Sequence, residues 1–238
     1  MKLTTTDDIR YDRFVALIVG ESGNGKTTLA STLPHNETLI ISAENGLLSL
    51  KRHKVKIDVA EIDPEEAYKS ITDVFEFLDR PETRKKYKYL FIDSLSEISE
   101  LILAELKRDP KLNDAKNAFP LWNKYSERMT IITKCFRDYL GYSVVFTCQN
   151  CFEKDGVTLK ESFNISGTGF VNSLKGMFDI ILSYRIYPNE DKDGEPIRKL
   201  VSCPVEAPLS KDRSGLLDKY EEANLDNIIN KVLGGTNG

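Results

Sequence analysis

The chain has 238 residues, 40 % of them apolar and 29 % charged, with a formal net charge of −4. That length suits one sizeable α/β domain rather than two, so residues 13–233 are expected to form it, with 1–12 as a lead-in and 234–238 as a tail. The acidic balance excludes a chain coated in positive charge for nucleic acid, though not a local basic surface.

No stretch approaches the roughly 18 apolar residues that span a bilayer. Residues 1–8 carry early acids and no apolar run of the signal-peptide kind, so a cytosolic protein without membrane contact is expected. Phe14-Val15-Ala16-Leu17-Ile18-Val19 reads as a strand buried on both faces. A helix is predicted from Lys26 to just before Pro34. Thr38-Leu39-Ile40-Ile41-Ser42 is a second buried strand, and residues 56–62 a short third. Pro64 is predicted to open a helix with apolar positions at Ala67, Ile71, Val74, Phe75 and Leu78.

Tyr89-Leu90-Phe91-Ile92-Asp93 is a buried strand with an acid at its tip, followed by a helix over 96–108. Residues 109–119 read as a loop, 120–140 as a long helix, and 142–148 as the next strand. Turn-like Lys154-Asp155-Gly156 and Asp191-Lys192-Asp193-Gly194 predict hairpins. Residues 214–233 read as two short helices. The alternation predicts an α/β fold: a central, mostly parallel sheet, helices on both faces, and an antiparallel C-terminal extension.

The sharpest motif is Gly20-Glu21-Ser22-Gly23-Asn24-Gly25-Lys26-Thr27, which fits G-x-x-x-x-G-K-[ST] without mismatch between a strand and a helix. In such a loop the glycines let backbone N–H groups turn inward onto phosphates. The lysine, here Lys26, adds a positive charge, and the hydroxyl of Thr27 joins the Mg²⁺ sphere; Thr28 continues the phosphate cradle. ATP and Mg²⁺ are therefore the expected ligands. Asp93 is the expected second Mg²⁺ residue, with capping of the next helix as its plainer role. Cys148-Gln149-Asn150-Cys151 has no matching pair and neither His35 nor His53 extends it, so structural cysteines are expected rather than zinc.

GTP-specific chemistry is disfavoured, because Asn123-Lys124-Tyr125-Ser126 lacks the acid of Asn-Lys-x-Asp. Ser94 stands where motor ATPases carry a catalytic glutamate. Glu44, just past the second strand, is the best remaining base, with Glu97 in reserve and a solvated acid beside Asn45 as the plain alternative. Gln149 at the next strand tip and Lys211-Asp212-Arg213-Ser214-Gly215 complete the polar set. A strand-end amide and an exposed basic turn are their plain readings.

In this order the motifs resemble the RecA-like P-loop NTPases, and the set from Arg13 to about Leu233 resembles phage nucleotide-binding ATPases of that fold, the group that includes phage single-strand annealing recombinases. The resemblance implies that Glu44 orients the attacking water and that Gln149 senses the γ-phosphate. It also implies that Lys211 and Arg213 reach a neighbouring subunit's nucleotide. A homo-oligomer, ring or short filament, with nucleotide at its interfaces would follow.

The same resemblance places single-stranded DNA on residues 107–119, with Lys107, Arg108, Lys111 and Lys116, and on 152–175, with Lys154, Lys160, Phe163 and Lys175. Asp109, Asp114, Glu153 and Glu161 interrupt those charges, and Gly167-Thr168-Gly169 suggests mobility. Phe119, Trp122 and Tyr125 are expected in the helix core. The competing functions are a nucleotide kinase, whose arginine-rich lid the short, mostly lysine insert at 79–88 matches poorly, and a nucleotide-gated loader with little turnover.

Overall fold

The structure, a computed structural model, describes residues 12–44, 46–52, 54–114, 116–139, 141–189 and 194–234. The first eleven residues, His53, residues 190–193 of the second predicted turn and the last four residues lie outside this description.

Strand β1 (Val15–Gly20) runs into the glycine-rich loop and then a 3₁₀ helix (Thr27–Thr32). Strand β2 (Thr38–Ser42), the short α1 (Leu48–Arg52) and strand β3 (Asp58–Glu61) follow. Helix α2 (Ala67–Asp79) starts three residues later than Pro64 predicts. Asp63 Oδ1 accepts from the Glu65 amide and holds a turn there first. Helix α3 (Pro81–Lys86), strand β4 (Tyr89–Asp93) and helix α4 (Leu95–Lys107) lead to α5 (Phe119–Lys134), which continues as one π turn (Cys135–Tyr139). Then come β5 (Ser143–Asp155), β6 (Thr158–Phe163), α6 (Thr168–Met177), β7 (Ile180–Tyr187), β8 (Ile197–Val201), β9 (Lys211–Asp212), β10 (Tyr220–Glu222) and α7 (Leu225–Gly234).

Among the described residues the strands form one sheet in the order β10-β8-β7-β1-β5-β4-β2-β3, with β6 on β5 and β9 on β7. The six strands from β7 to β3 pair in parallel. The β5–β6, β7–β8, β7–β9 and β8–β10 pairs are antiparallel. The expected α/β architecture, parallel centre and antiparallel extension are therefore present.

Each central strand is apolar on both faces, and the period of two sends its residues into two cores. Leu17, Leu39, Leu90 and Val144 face one core with residues of α2, α4, α5 and α6. Ala16, Ile40, Phe91 and Val145 face the other with Leu29, Leu50 and the apolar stripe of α7. At roughly 1.5–3 kcal/mol per buried large apolar side chain, these two layers outweigh any single polar contact in fixing the sheet.

Three expectations change. Residues 214–233 hold one helix, α7, because Asp212 accepts from the amides of Ser214 and Leu217 and bends the chain, after which β10 pairs with β8. Residues 152–175 are not a loop but the end of β5, β6 and α6. Phe163 is buried there, and Glu161 is bound by Asn150 Nδ2 at 2.7 Å and Arg185 Nη2 at 2.5 Å. Gly167 also serves packing rather than mobility. It sits at φ +82°, and a Cβ on it would meet Tyr125 Cε1 at 2.9 Å.

Gly167→Ala should therefore cost about 2–3 kcal/mol through strain and overlap. Thermal unfolding should show this as a Tm fall of roughly 5–10 °C. A melting curve within a degree of the parent would return Gly167 to a hinge role.

Candidate nucleotide site

Register builds the site. Gly20 at the end of β1 pairs with Gln149 of β5, and Ser42 at the end of β2 pairs with Asp93 at the end of β4. Because these strands are parallel, β1, β2 and β4 end together and Gln149 of β5 lies opposite the end of β1, so the glycine-rich loop, Glu44, Asp93 and Gln149 meet at one rim of the sheet. They share a cleft of about 220 Å³ lined also by Ser22, Gly23, Thr27, Gly46 and Ser49.

The loop is built as its composition requires. Gly25 stands at φ +97°, open to glycine and strained for other residues. Lys26 is already helical (φ −54°, ψ −45°). The turn that follows is 3₁₀ rather than the predicted α-helix, with the Thr28 amide bonded to the Gly25 carbonyl and the Leu29 amide to that of Lys26. The Thr28 carbonyl accepts from Ser31 Oγ, and Thr28 is not part of the cleft lining. The Asn24 amide reaches the Glu21 carbonyl at 3.5 Å, closing the loop.

Lys26 is buried, and its ammonium donates to the carbonyls of Gly20 and Glu21, both at 2.8 Å. Burial pushes its pKa down, against the pull of nearby Cys148, Glu44, Asp93 and Glu21. Its charge thus rests on carbonyls of its own loop, in reach of any phosphate that the loop's amides collect.

Asp93 is 2 % exposed. Its Oδ2 accepts from Thr27 Oγ1 at 2.7 Å and its Oδ1 from Thr147 Oγ1 at 2.7 Å. Burial pushes the carboxyl up, the two hydroxyls pull it down, Glu44 adds to the rise and Lys26 opposes it. The helix cap is not Asp93: Ser94 caps α4 by accepting from the Glu97 amide.

Two hard oxygen donors, Thr27 Oγ1 and the Asp93 carboxylate, fit Mg²⁺, which keeps most of its waters and takes phosphate oxygens for the rest. Among the described residues no group of three or more His, Cys, Asp or Glu could hold a metal by itself.

Glu44 follows β2, and the Ala43 amide donates to the Asp93 carbonyl at 2.8 Å, fastening this segment to the β4 tip. Ser42 Oγ donates to the Glu44 carbonyl, and Ser94 Oγ donates to Glu44 Oε1 at 2.5 Å. Glu44 lies outside any helix, since α1 begins at Leu48; Asn45 is outside the described residues. Glu97 is half-buried, and burial first, then Glu44 and Glu100, pushes its carboxyl up.

Gln149 does not end its strand, which runs on to Asp155. Its amide donates to Ser96 Oγ at 2.9 Å, and its Oε1 accepts from Asn164 Nδ2 at 3.3 Å. Cys148 is buried beside Ser96, and burial pushes its thiol up to about 12. Cys151 is a free, half-buried thiol.

Lys211 and Arg213 stand apart from this cleft. Lys211 is in a strand, not beyond the last one, and donates to the carbonyls of Lys175 (2.9 Å) and Phe178 (2.5 Å). Arg213 is exposed and pairs with Asp179 at 2.9 Å. The insert at 79–88, too short and lysine-rich for a kinase lid, holds the helix α3, with Arg84 on Asp79 at 2.5 Å.

Sequence reading missed Thr147, Ser96 and Asn164, which orient Asp93 and Gln149. A hydroxyl inside the otherwise apolar run Val144-Val145-Phe146-Thr147-Cys148 was the one available signal.

A glycine-rich loop after a buried parallel strand, with an acid on a nearby strand tip, defines a P-loop nucleotide-binding protein. The sequence profile of the AAA domain family matches residues 13–214, and the chain belongs to that family. Among solved structures, the RadB recombinase crystal structure is similar at 13 % identity, covering 79 % of each chain with a TM-score of 0.46, a likeness of outline only. A search of curated proteins finds no match. No described helix is long and apolar enough to cross a membrane.

The raised carboxyl of Asp93 gives a signed expectation. A folded value above the unfolded one means the folded chain holds the proton more tightly. Stability is then lost as pH rises from about 4 through the folded value. Asp93→Asn, measured without nucleotide at pH 7.5, should melt at or above the parent, with the advantage shrinking toward pH 4. A fall of several degrees instead would mean that the ionised carboxylate stabilises the fold.

Proposed function

We propose that the protein is a RecA-like ATPase that acts on single-stranded DNA, in annealing or recombination of the phage type. The observation that carries the reading is the convergence of Lys26, Thr27, Glu44, Asp93 and Gln149 on one cleft. The amides of Ser22 to Thr27 receive the β- and γ-phosphates, and Lys26 turns from its two carbonyls onto them. Thr27 and Asp93 would hold Mg²⁺, and the ion would supply charge that offsets the phosphates. Glu44, steadied by Ser94, orients water and takes its proton. Gln149 meets the γ-phosphate and is tied through Asn164 to the segment after β6.

In this reading the chain assembles as a ring or short filament, and Lys211 and Arg213 serve a neighbour's nucleotide. Neither lines its own cleft, and Arg213 is exposed, which favours a role in trans over one in cis.

Steady-state phosphate release from ATP, with and without single-stranded DNA, tests the core of this. Lys26→Ala should fall to background. Glu44→Gln should keep nucleotide binding and lose at least about 100-fold in kcat; unchanged turnover would remove Glu44 as the base. Phosphate appearing on a nucleoside monophosphate rather than in water would replace the ATPase with a kinase.

The trans assignment has its own check. Arg213→Ala alone should be inactive, and mixing it with Lys26→Ala should restore part of the activity, because some interfaces then combine an intact loop with an intact arginine. Mixtures no more active than either variant would place Arg213 outside the chemistry.

A further inference from the structure

Two runs of the sequence hold four cations within six residues: Lys51, Arg52, Lys54 and Lys56 in one, Arg84, Lys85, Lys86 and Lys88 in the other. The fold treats them differently. The second run is largely neutralised, with Arg84 on Asp79 at 2.5 Å, Lys86 on Asp58 at 2.6 Å and Lys88 on Glu37 at 2.8 Å. In the first run all four cations are exposed, and among the described residues none is in a salt bridge or donates a side-chain hydrogen bond. Asp58, the acid nearest to them in sequence, is already taken by Lys86 at 2.6 Å and by the Tyr87 hydroxyl at 2.7 Å.

The backbone gathers the four charges around one turn. Lys51 and Arg52 end α1. The Lys54 amide then donates to the Lys51 carbonyl at 3.1 Å and the Val55 amide to the Leu50 carbonyl at 3.2 Å, so the chain folds back at once. Leu50 and Ile57 pack into the core shared by Leu29 and α7 and fix the turn from both sides. Lys54 stands at φ +56°, the one non-glycine at positive φ among the described residues. Glycine is the usual residue at such a helix end, because a Cβ is strained there. The end of a helix carries roughly half a negative charge, so four cations are far more than α1 itself can use.

The side chains narrow the choice of anion. Residues 48–57 include no phenylalanine, tyrosine or tryptophan, so they offer single-stranded bases nothing to stack on. Cations without rings suit phosphates that face outward while the bases are enclosed, which is the backbone of a duplex, with one charge per roughly 1.7 Å of axis. Gly46 and Ser49, just before the turn, line the nucleotide cleft, so such a surface would adjoin the ATP site.

We propose that the turn between α1 and β3, through Lys51, Arg52, Lys54 and Lys56, docks the phosphate backbone of double-stranded DNA. The inference rests on the proposed DNA-directed function and adds a duplex surface to its single-strand one.

Fluorescence anisotropy of a labelled duplex, with ATP and Mg²⁺ present, tests it. The parent should bind with an affinity that falls steeply as salt rises. Lys51→Gln, Arg52→Gln and Lys56→Gln should each lower the salt slope by about one. Lys54→Gly should also weaken duplex binding, yet melt no lower than the parent, because glycine accepts its backbone angle; lost binding is then not lost fold. The fourfold variant should bind duplex at least about tenfold more weakly. A labelled single strand, read on the same proteins, separates the failures. A parent that binds single strands but no duplex, or duplex bound equally by the fourfold variant, would overturn the surface and leave the DNA-directed ATPase standing. A parent that binds neither form would remove both. A fourfold variant altered only in its sedimentation, or only in its affinity for ATP, would assign the cations to an acidic second copy of the chain or to the nucleotide's own phosphates, and either would overturn the proposal.

Discussion

The site depends on one buried carboxylate. Asp93 reaches Thr27 of the phosphate loop with one oxygen and Thr147 of β5 with the other. Three segments far apart in sequence are thereby held together at the rim of the sheet. A carboxylate so deeply buried is costly unless its lone pairs are occupied, and both hydroxyls serve that need here. The same arrangement leaves it among Lys26, Thr27 and Glu44, where a cation and a phosphate chain would complete the charge balance.

Around Asp93 runs a set of small hydroxyls that set directions rather than supply energy. Ser42 and Ser94 hold the backbone and carboxylate of Glu44, while Ser96 holds the amide of Gln149. Each such bond contributes only about 1 kcal/mol net. Their effect lies in geometry, because the two apolar cores already fix where the strand tips end. The strand between β1 and β4 is β5, so Gln149 is carried between the loop and Asp93. The same strand then continues into the β5–β6 hairpin, giving the cleft a direct covalent path to the outer surface.

The surface beyond the cleft shows how far local sequence can mislead. Glu161 reads as a solvated acid and is instead buried between Asn150 and Arg185. Asp109 and Asp114 read as charges that cancel their lysines, yet they close turns on the lysines' own amides. The basic segment at 211–213 is divided as well: Lys211 is taken up by backbone carbonyls at the end of α6, and Arg213 stays outside.

The sequence by itself determined the strand cores, the phosphate loop and the acid at the β4 tip. Unbroken apolar runs have one stable setting, between two helical layers, and the loop motif is a local geometry set by glycine. Glu44 was legible as a polar residue just past a strand end, because strand ends in a parallel sheet gather at one rim; Gln149 joins that rim from within β5, opposite the end of β1. Only the tertiary structure decided which hydroxyls face Asp93 and that Ser94 rather than Asp93 caps α4. It alone also left Phe119 and Trp122 exposed and buried Tyr125, although all three are expected in the helix core. These outcomes depend on strand register and on which helix lies opposite, relations between residues tens of positions apart that no local pattern encodes. The same holds for residues 214–222, where a turn built on Asp212 and a place at the edge of β8 overrode a helix-like pattern.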